Sequence, residues 1–207
     1  MKYIPILFNT EMVQAILDGR KTQTRRIGKY SAHRVYDFAC VDGKWNETYD
    51  PKNPPDWLIE WYLRMGTLGP CMAGDILWVR ETFDDVELGN PWYYKADGDL
   101  RPECWKGEKW RPSIHMPREA ARIFLRVQDV HLERLGNMRL RDCLNEGVRL
   151  SIGEENDRVL GPIRARERFS QVWDSTIKRA DMERYGWRAN PWVWVITFER
   201  CGKPEGW

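Results

Sequence analysis

Apolar side chains fall into short, well-separated runs. In residues 11–18, Met12, Val13, Ile16 and Leu17 recur at helical spacing behind Asn9 or Thr10, either of which can cap the first turn. Gly19 is placed to end that helix in the left-handed conformation, and Arg20 and Lys21 suit the negative end of its dipole. Residues 22–27 then alternate and are rich in threonine, which predicts a strand. Periodicity fades from residue 28 to residue 70. Within that stretch DPKNPPD (50–56) excludes regular structure, because its prolines remove donors and fix the backbone; only 56–65 suggests a short helix. Strands are predicted again over 76–83, after the Gly74-Asp75 turn, over 92–96, and over 122–135. The last of these groups Ile123, Leu125, Val127 and Asp129 on one side. Helices follow at about 138–145, closed by Gly147, and at about 163–178, with Phe169, Val172, Trp173 and Thr176 facing inward. A strand over 192–199 ends the pattern.

Short strands, few helices and no βαβ rhythm predict an α+β fold, a small mixed barrel flanked by helices. A length of 207 residues favours a single domain, 1–207. The irregular stretches 31–70 and 84–110 are read as insertions, since the first lacks apolar residues for a core of its own. With 42% hydrophobic and 31% charged residues the chain is of ordinary globular composition. Its formal net charge is only +2, so any attraction to phosphate must come from local clusters. The cysteines (Cys40, Cys71, Cys104, Cys143, Cys201) include no CxxC pair, which argues against a zinc ribbon or a disulfide framework. The histidines His33, His115 and His131 lack metal-ligand spacing, so neither a metal nor a cofactor is expected. The opening apolar run is too short for a signal peptide, and no run approaches the roughly 18 residues of a membrane helix. A cytoplasmic protein without a membrane partner is expected. The 12 tryptophans suit packing, and Trp78, Trp192 and Trp194 lie in strands. Those in less regular segments, such as Trp105 and Trp110, also suit base stacking, worth about 1–3 kcal/mol per base.

The densest chemistry is GRKTQTRR (19–26), which sets Arg20, Lys21, Arg25 and Arg26 around two threonines without one acid. Glu81 ends a strand and is a candidate for the same cleft, or a partner for an arginine. Residues 113–118 read as a binding loop, with Arg111, His115 and Arg118 available to phosphate. Arg158, Arg164, Arg166 and Arg168 form a second basic group leading into a helix, either a solvated face or the other side of a groove.

The order of AILDGRKTQTRR after a helix, a GDILWVRETF strand, an RIFLRVQDVHLERL strand, a helix closing on NEGV and a terminal WVWVITFE strand resembles the ASCH domain of the PUA-like superfamily. The likeness is to the larger form found in phage and prophage proteins. This resemblance implies a partly open β-barrel flanked by helices, with a cleft between them, and business with RNA or a pyrimidine nucleoside. Some members of the family hydrolyse 4-acetylcytidine at its acylated exocyclic amine. Their catalytic lysine, threonine and glutamate match Lys21, Thr24 and Glu146, whereas Met138-Arg139 departs from the Thr or Ser that precedes the later helix, leaving Asn137 to cap it. Substrate or nucleic-acid contacts are expected from Arg20, Arg25, Arg26, Glu81, Arg111, His115 and Arg118. A metal-independent amidohydrolase is the leading expectation. A non-catalytic RNA-binding module, a ribonuclease and a phage assembly or regulatory factor are the alternatives. One geometric condition attaches to the chemistry: residues three apart on a regular strand face opposite ways, so Lys21 must belong to the turn after Gly19 if it is to work with Thr24.

Overall fold

A computed structural model describes residues 1–27, 40–41, 44–45, 69–85 and 92–207. Its centre is a five-stranded sheet, in the order β1-β5-β8-β9-β2, formed by β1 (Tyr3–Leu7), β2 (Gln23–Ile27), β5 (Ile76–Arg80), β8 (Phe124–Arg134) and β9 (Trp192–Cys201). Only β1 and β5 run parallel; the other pairs are antiparallel. Two short ribbons, β3 (Cys40–Val41) with β4 (Lys44–Trp45) and β6 (Phe83–Asp84) with β7 (Tyr93–Tyr94), stand outside the sheet. Among the described residues the α-helices are α1 (Thr10–Leu17), α2 (Leu140–Asn145), α3 (Ile152–Asn156), α4 (Leu160–Thr176) and α5 (Met182–Tyr185). The expected α+β class is observed. The helix read at 56–65 lies outside the described residues.

The sheet is not closed into a barrel. Its edges, β1 and β2, are neighbours in sequence through α1, and among the described residues no backbone ladder joins them. A side chain does: an Arg26 guanidinium nitrogen donates to the Leu7 carbonyl at 2.8 Å, and the group lies 5.0 Å from the Phe8 ring centroid. Alternation along β9 divides the core. Ile196 and Phe198 join Phe8, Val13 and Ile16 of the α1 side, while Val193 joins Cys143, Ala165, Phe169 and Trp173 of α2 and α4. Each fully buried Val, Ile or Phe among them contributes about 1.5–3 kcal/mol.

Several expectations change with tertiary context. The strand over 76–83 breaks after Arg80, because Phe83 exchanges backbone hydrogen bonds with Arg111 instead of continuing along β8. The strand over 92–96 shortens to two residues and turns into a 3-10 helix at Lys95–Asp97. A register shift between Val127 and Asp129 separates Asp129 from its inward group, so Leu125 and Val127 are buried whereas Asp129 is exposed. Asn137 does not cap α2; the Arg139 N–H is held by the Asp142 carboxylate at 2.8 Å. Asn9 is the residue that caps α1, accepting from the Met12 N–H at 2.8 Å.

Both α1 and α2 end in the same way. Beyond α1, the Gly19 N–H bonds to the Ile16 carbonyl and the Arg20 N–H to that of Ala15. Beyond α2, the Gly147 N–H bonds to Leu144 and the Val148 N–H to Cys143. These paired bonds are the glycine-terminated Schellman arrangement, with Gly19 at φ +74° and Gly147 at φ +98°. The two ends meet. A Cβ on Gly147 would stand 2.9 Å from the Ala15 Cβ and 3.5 Å from that of Lys21, whereas one on Gly19 would meet nothing within 4 Å. Gly19→Ala is therefore expected to cost only the left-handed backbone penalty, about 1–2 kcal/mol. Gly147→Ala adds overpacking of about 1–3 kcal/mol. Urea unfolding of both variants checks this, and equal losses would contradict it.

Candidate functional site

The double Schellman junction places Lys21. Its N–H shares the Ala15 carbonyl with that of Arg20, so Lys21 belongs to the turn, and β2 begins only at Gln23. The intervening Thr22 N–H donates to the Asn145 carbonyl at 2.9 Å, tying the start of β2 to the end of α2. The condition set by the sequence is met in this respect: strand alternation does not govern Lys21.

The Lys21 side chain is fully enclosed. Its ammonium donates to the Glu146 carboxylate (Oε2) at 2.6 Å, to the Glu146 carbonyl at 3.0 Å and to the Gln23 carbonyl at 2.8 Å, which uses all three donors. The charge thus sits at the carbonyl-rich end of α2, where cations are favoured, and on the first carbonyl of β2. Arg25 takes the other Glu146 oxygen, with Nη1 to Oε1 at 3.2 Å, and its Nε and Nη2 donate to Glu133 at 3.1 and 2.6 Å. Gln23 accepts from Arg25 at 3.1 Å, and Asp142 lies 3.7 Å away. One carboxylate is therefore gripped by a cation on each oxygen inside a shell of further carboxylates.

Thr24 is buried, and among the described residues its hydroxyl has no hydrogen-bond partner. It lines a cavity of about 250 Å³ together with Arg25, Arg26 and Glu146 on one side and Phe169 and Trp173 of α4 on the other. The Trp173 indole N–H is already committed to the Tyr185 carbonyl at 2.8 Å, so the ring serves the cavity as an apolar wall. Val172 and Thr176, expected to face inward, also line it. Such a space suits a flat, partly polar molecule: aromatic side chains on one wall, charged groups and a hydroxyl on the other.

Lys21 and Glu146 are in direct contact, and Thr24 shares the cavity wall with Glu146. No hydrogen bond links Lys21 to Thr24. Arg25 and Arg26 line the cavity, while Arg20 turns away, donating to the Gly147 carbonyl at 3.0 Å and to Asp18. The other candidates stand elsewhere. Glu81 is buried against Arg122, at 2.9 and 3.0 Å. Arg111 pairs with Asp85 at 2.5 Å, His115 is exposed, and Arg118 stacks 4.1 Å from the Trp207 ring centroid. In the second basic group Arg166 is anchored on the Gly136 and Met138 carbonyls, and Arg168 on Glu154. Sequence reading missed Gln23, Glu133 and Asp142. The clue was the unusual number of arginines on a short strand, which must find carboxylates if it is buried.

Burial lowers the Lys21 ammonium below the ordinary lysine value of 10.5, with Glu146 opposing the shift. The native protein thus gives up this proton at lower pH than the unfolded chain. The cost of burying the charge is complete below the native pKa and lifts as pH rises toward the unfolded value. The stability of the native protein relative to Lys21→Met should accordingly increase with pH over that interval, as measured by denaturant unfolding. The Lys21 side-chain NMR resonance should titrate below those of exposed lysines, and a higher midpoint would contradict the placement.

No family model and no curated protein matches the chain. Among solved structures it is similar to a DUF984-family protein from Enterococcus faecalis V583, at 9% identity over 100% of this chain and 85% of that one, with a TM-score of 0.39. It is also similar to an ASCH domain from Lactobacillus crispatus JV V101, at 13% identity over 96% of this chain and 79% of that one, with a TM-score of 0.38.

Proposed function

We propose that the cavity between β2 and α4 receives the base of a pyrimidine nucleoside, free or within RNA, and that the protein hydrolyses an acyl group from its exocyclic amine. One observation carries this reading: a carboxylate fixed by two buried cations stands on the wall of a base-sized cavity, beside a threonine hydroxyl that has no partner among the described residues. The resemblance of the GRKTQTRR and NEGV segments to 4-acetylcytidine amidohydrolases supports it.

Amide hydrolysis requires a base for water, positive or donor groups for the oxyanion, and an acid for the departing amine. Glu146 takes the proton from a water oriented by Thr24. The resulting hydroxide adds to the acyl carbon, and the new oxyanion lies toward the guanidinium wall. The carbon–nitrogen bond then breaks as Glu146 returns its proton to the exocyclic nitrogen, releasing a carboxylic acid and the free amine. Lys21 is a positioning residue in this scheme. Its donors are saturated and its side chain is enclosed, so it acts on Glu146 and not on the substrate. Phe169 and Trp173 offer the base an aromatic wall.

With 4-acetylcytidine as substrate, Glu146→Gln is expected to lower kcat by about 10²- to 10⁴-fold, the usual contribution of a general base. Thr24→Val should lower kcat while leaving thermal unfolding nearly unchanged, because its hydroxyl bonds to no protein group among the described residues. Wild-type turnover in both folded variants removes the mechanism. If the native protein cleaves neither 4-acetylcytidine nor RNA containing it, the hydrolytic reading falls. Binding of either without cleavage would leave the cavity as a recognition site.

A further inference from the structure

A second cleft, of about 300 Å³, opens one residue along the chain from Glu146. It is lined by Arg20, Arg141, Asn145 and Arg149, with Leu144 and Leu150 among its apolar neighbours and Glu155 as its acidic member. Nothing in the hydrolytic scheme uses it. Its arginines are held in different ways. Arg20 is anchored on the Gly147 carbonyl and on Asp18 Oδ2, at 3.0 Å each, and Arg149 reaches the same Asp18 oxygen at 3.1 Å. Asp18 thus holds two guanidinium groups with one oxygen, and its carboxyl is kept below the usual range by Arg20 and Arg149. Arg141 is exposed and has no partner among the described residues. Three guanidinium groups face two carboxylates, leaving a local excess of positive charge on a protein whose formal net charge is only +2. Planar forked donors around a small concavity, with an amide beside them, are the usual means of holding a phosphate.

We propose that this cleft is a phosphate subsite. It takes the phosphate of a nucleotide whose base occupies the neighbouring cavity, so a phosphorylated substrate gains a hold that a free nucleoside lacks. The backbone of residues 145–147 is the partition between the two: Asn145 lines the cleft, Glu146 lines the cavity, and Gly147 anchors Arg20. Only the identity of the molecule carrying the phosphate rests on the hydrolytic reading; the anion site itself does not. Two sources fit the same chemistry, a 5′-monophosphate and an internucleotide phosphate of RNA. Glu155 is the one lining carboxylate for which no hydrogen bond or ion pair is present among the described residues, and it opposes either.

Binding, not turnover, decides the matter. Cytidine, cytidine 5′-monophosphate and a short single-stranded oligoribonucleotide are titrated into the wild type, Arg141→Glu, Arg149→Glu and Glu155→Gln by calorimetry at two salt concentrations. All three substitutions are at surface positions, and circular dichroism verifies their folding. Arg141→Glu is expected to weaken one or both phosphorylated probes tenfold or more and to leave cytidine unaffected, while Glu155→Gln tightens the phosphorylated probes. A response confined to the oligoribonucleotide assigns the cleft to internucleotide phosphate; a response of the monophosphate assigns it to a terminal one. For RNA, removing one phosphate-neutralising arginine should reduce the salt slope by about 0.7. Wild-type affinity of Arg141→Glu for both phosphorylated probes, or failure of the wild type to bind either, overturns the proposal. Phosphate binding that responds to these variants without any hydrolysis would sustain the cleft while removing the mechanism assigned to Glu146.

Discussion

The organisation of the site depends on one buried contact, the 2.6 Å pair between Lys21 and Glu146. Desolvating such a pair costs several kcal/mol per ion, and its mutual attraction offsets that only if the remaining donors and lone pairs are satisfied. Here they are. The ammonium finds two carbonyls besides the carboxylate, and the second carboxylate oxygen finds Arg25. Loss of either partner would strand a charge in the interior. The pair and its carbonyl partners therefore tie α2 to the turn after α1 and to the start of β2. Both helices end at a glycine in positive φ, and at Gly147 the approach to Ala15 and Lys21 leaves no room for a Cβ.

A second buried network shows what the first would be without a cavity. Arg122 spans Glu81 and Asp97, and Arg101 spans Asp84 and Asp99, all with short, well-formed bonds. Burial raises the Glu81 carboxyl, with Arg122 opposing, and pushes the neighbouring Tyr94 hydroxyl up to about 12. These groups join β5, β6 and the turns that follow. Glu81 lines neither the cavity beside Glu146 nor the outer cleft, so its perturbation is explained by structure alone. A buried, cation-held carboxylate becomes a candidate for chemistry when there is space beside it, which Glu146 has and Glu81 lacks.

Much of this was legible in the sequence because it is local. The α1 stripe, the Gly19 stop and the terminal strand follow from spacing and from glycine, and they recur in the structure within a residue or two. What could not be read is set by partners distant in sequence. The carboxylates on Arg25 come from Glu133 and Glu146, 108 and 121 residues away. The break after Arg80 depends on a bridge to Arg111, and the exposure of Asp129 on a bulge that no local propensity announces. The same reason explains why Arg111, His115 and Arg118 looked like a binding loop. Asp85 and Trp207, the neighbours of the two arginines, become apparent only once the chain has folded back on itself.

The run GRKTQTRR therefore is not a basic patch in the ordinary sense. Its pairing with β9 sets Gln23 and Arg25 against Thr197 and Val195, and Thr24 and Arg26 against Ile196 and Trp194, so alternate residues leave opposite faces of this edge strand, and the cavity beside it is lined from both. On the side of α2, Arg25 and Gln23 complete the cage around Glu146. On the other, Arg26 spans the opening between the two edges of the sheet by bonding to Leu7. Arg20, still in the turn, belongs to neither side and faces the outer cleft. Had the sheet closed through a backbone ladder between β1 and β2, Arg26 would not be needed as a strut. Leaving that seam to a side chain keeps the sheet open, on the strand whose other side chains frame the cavity.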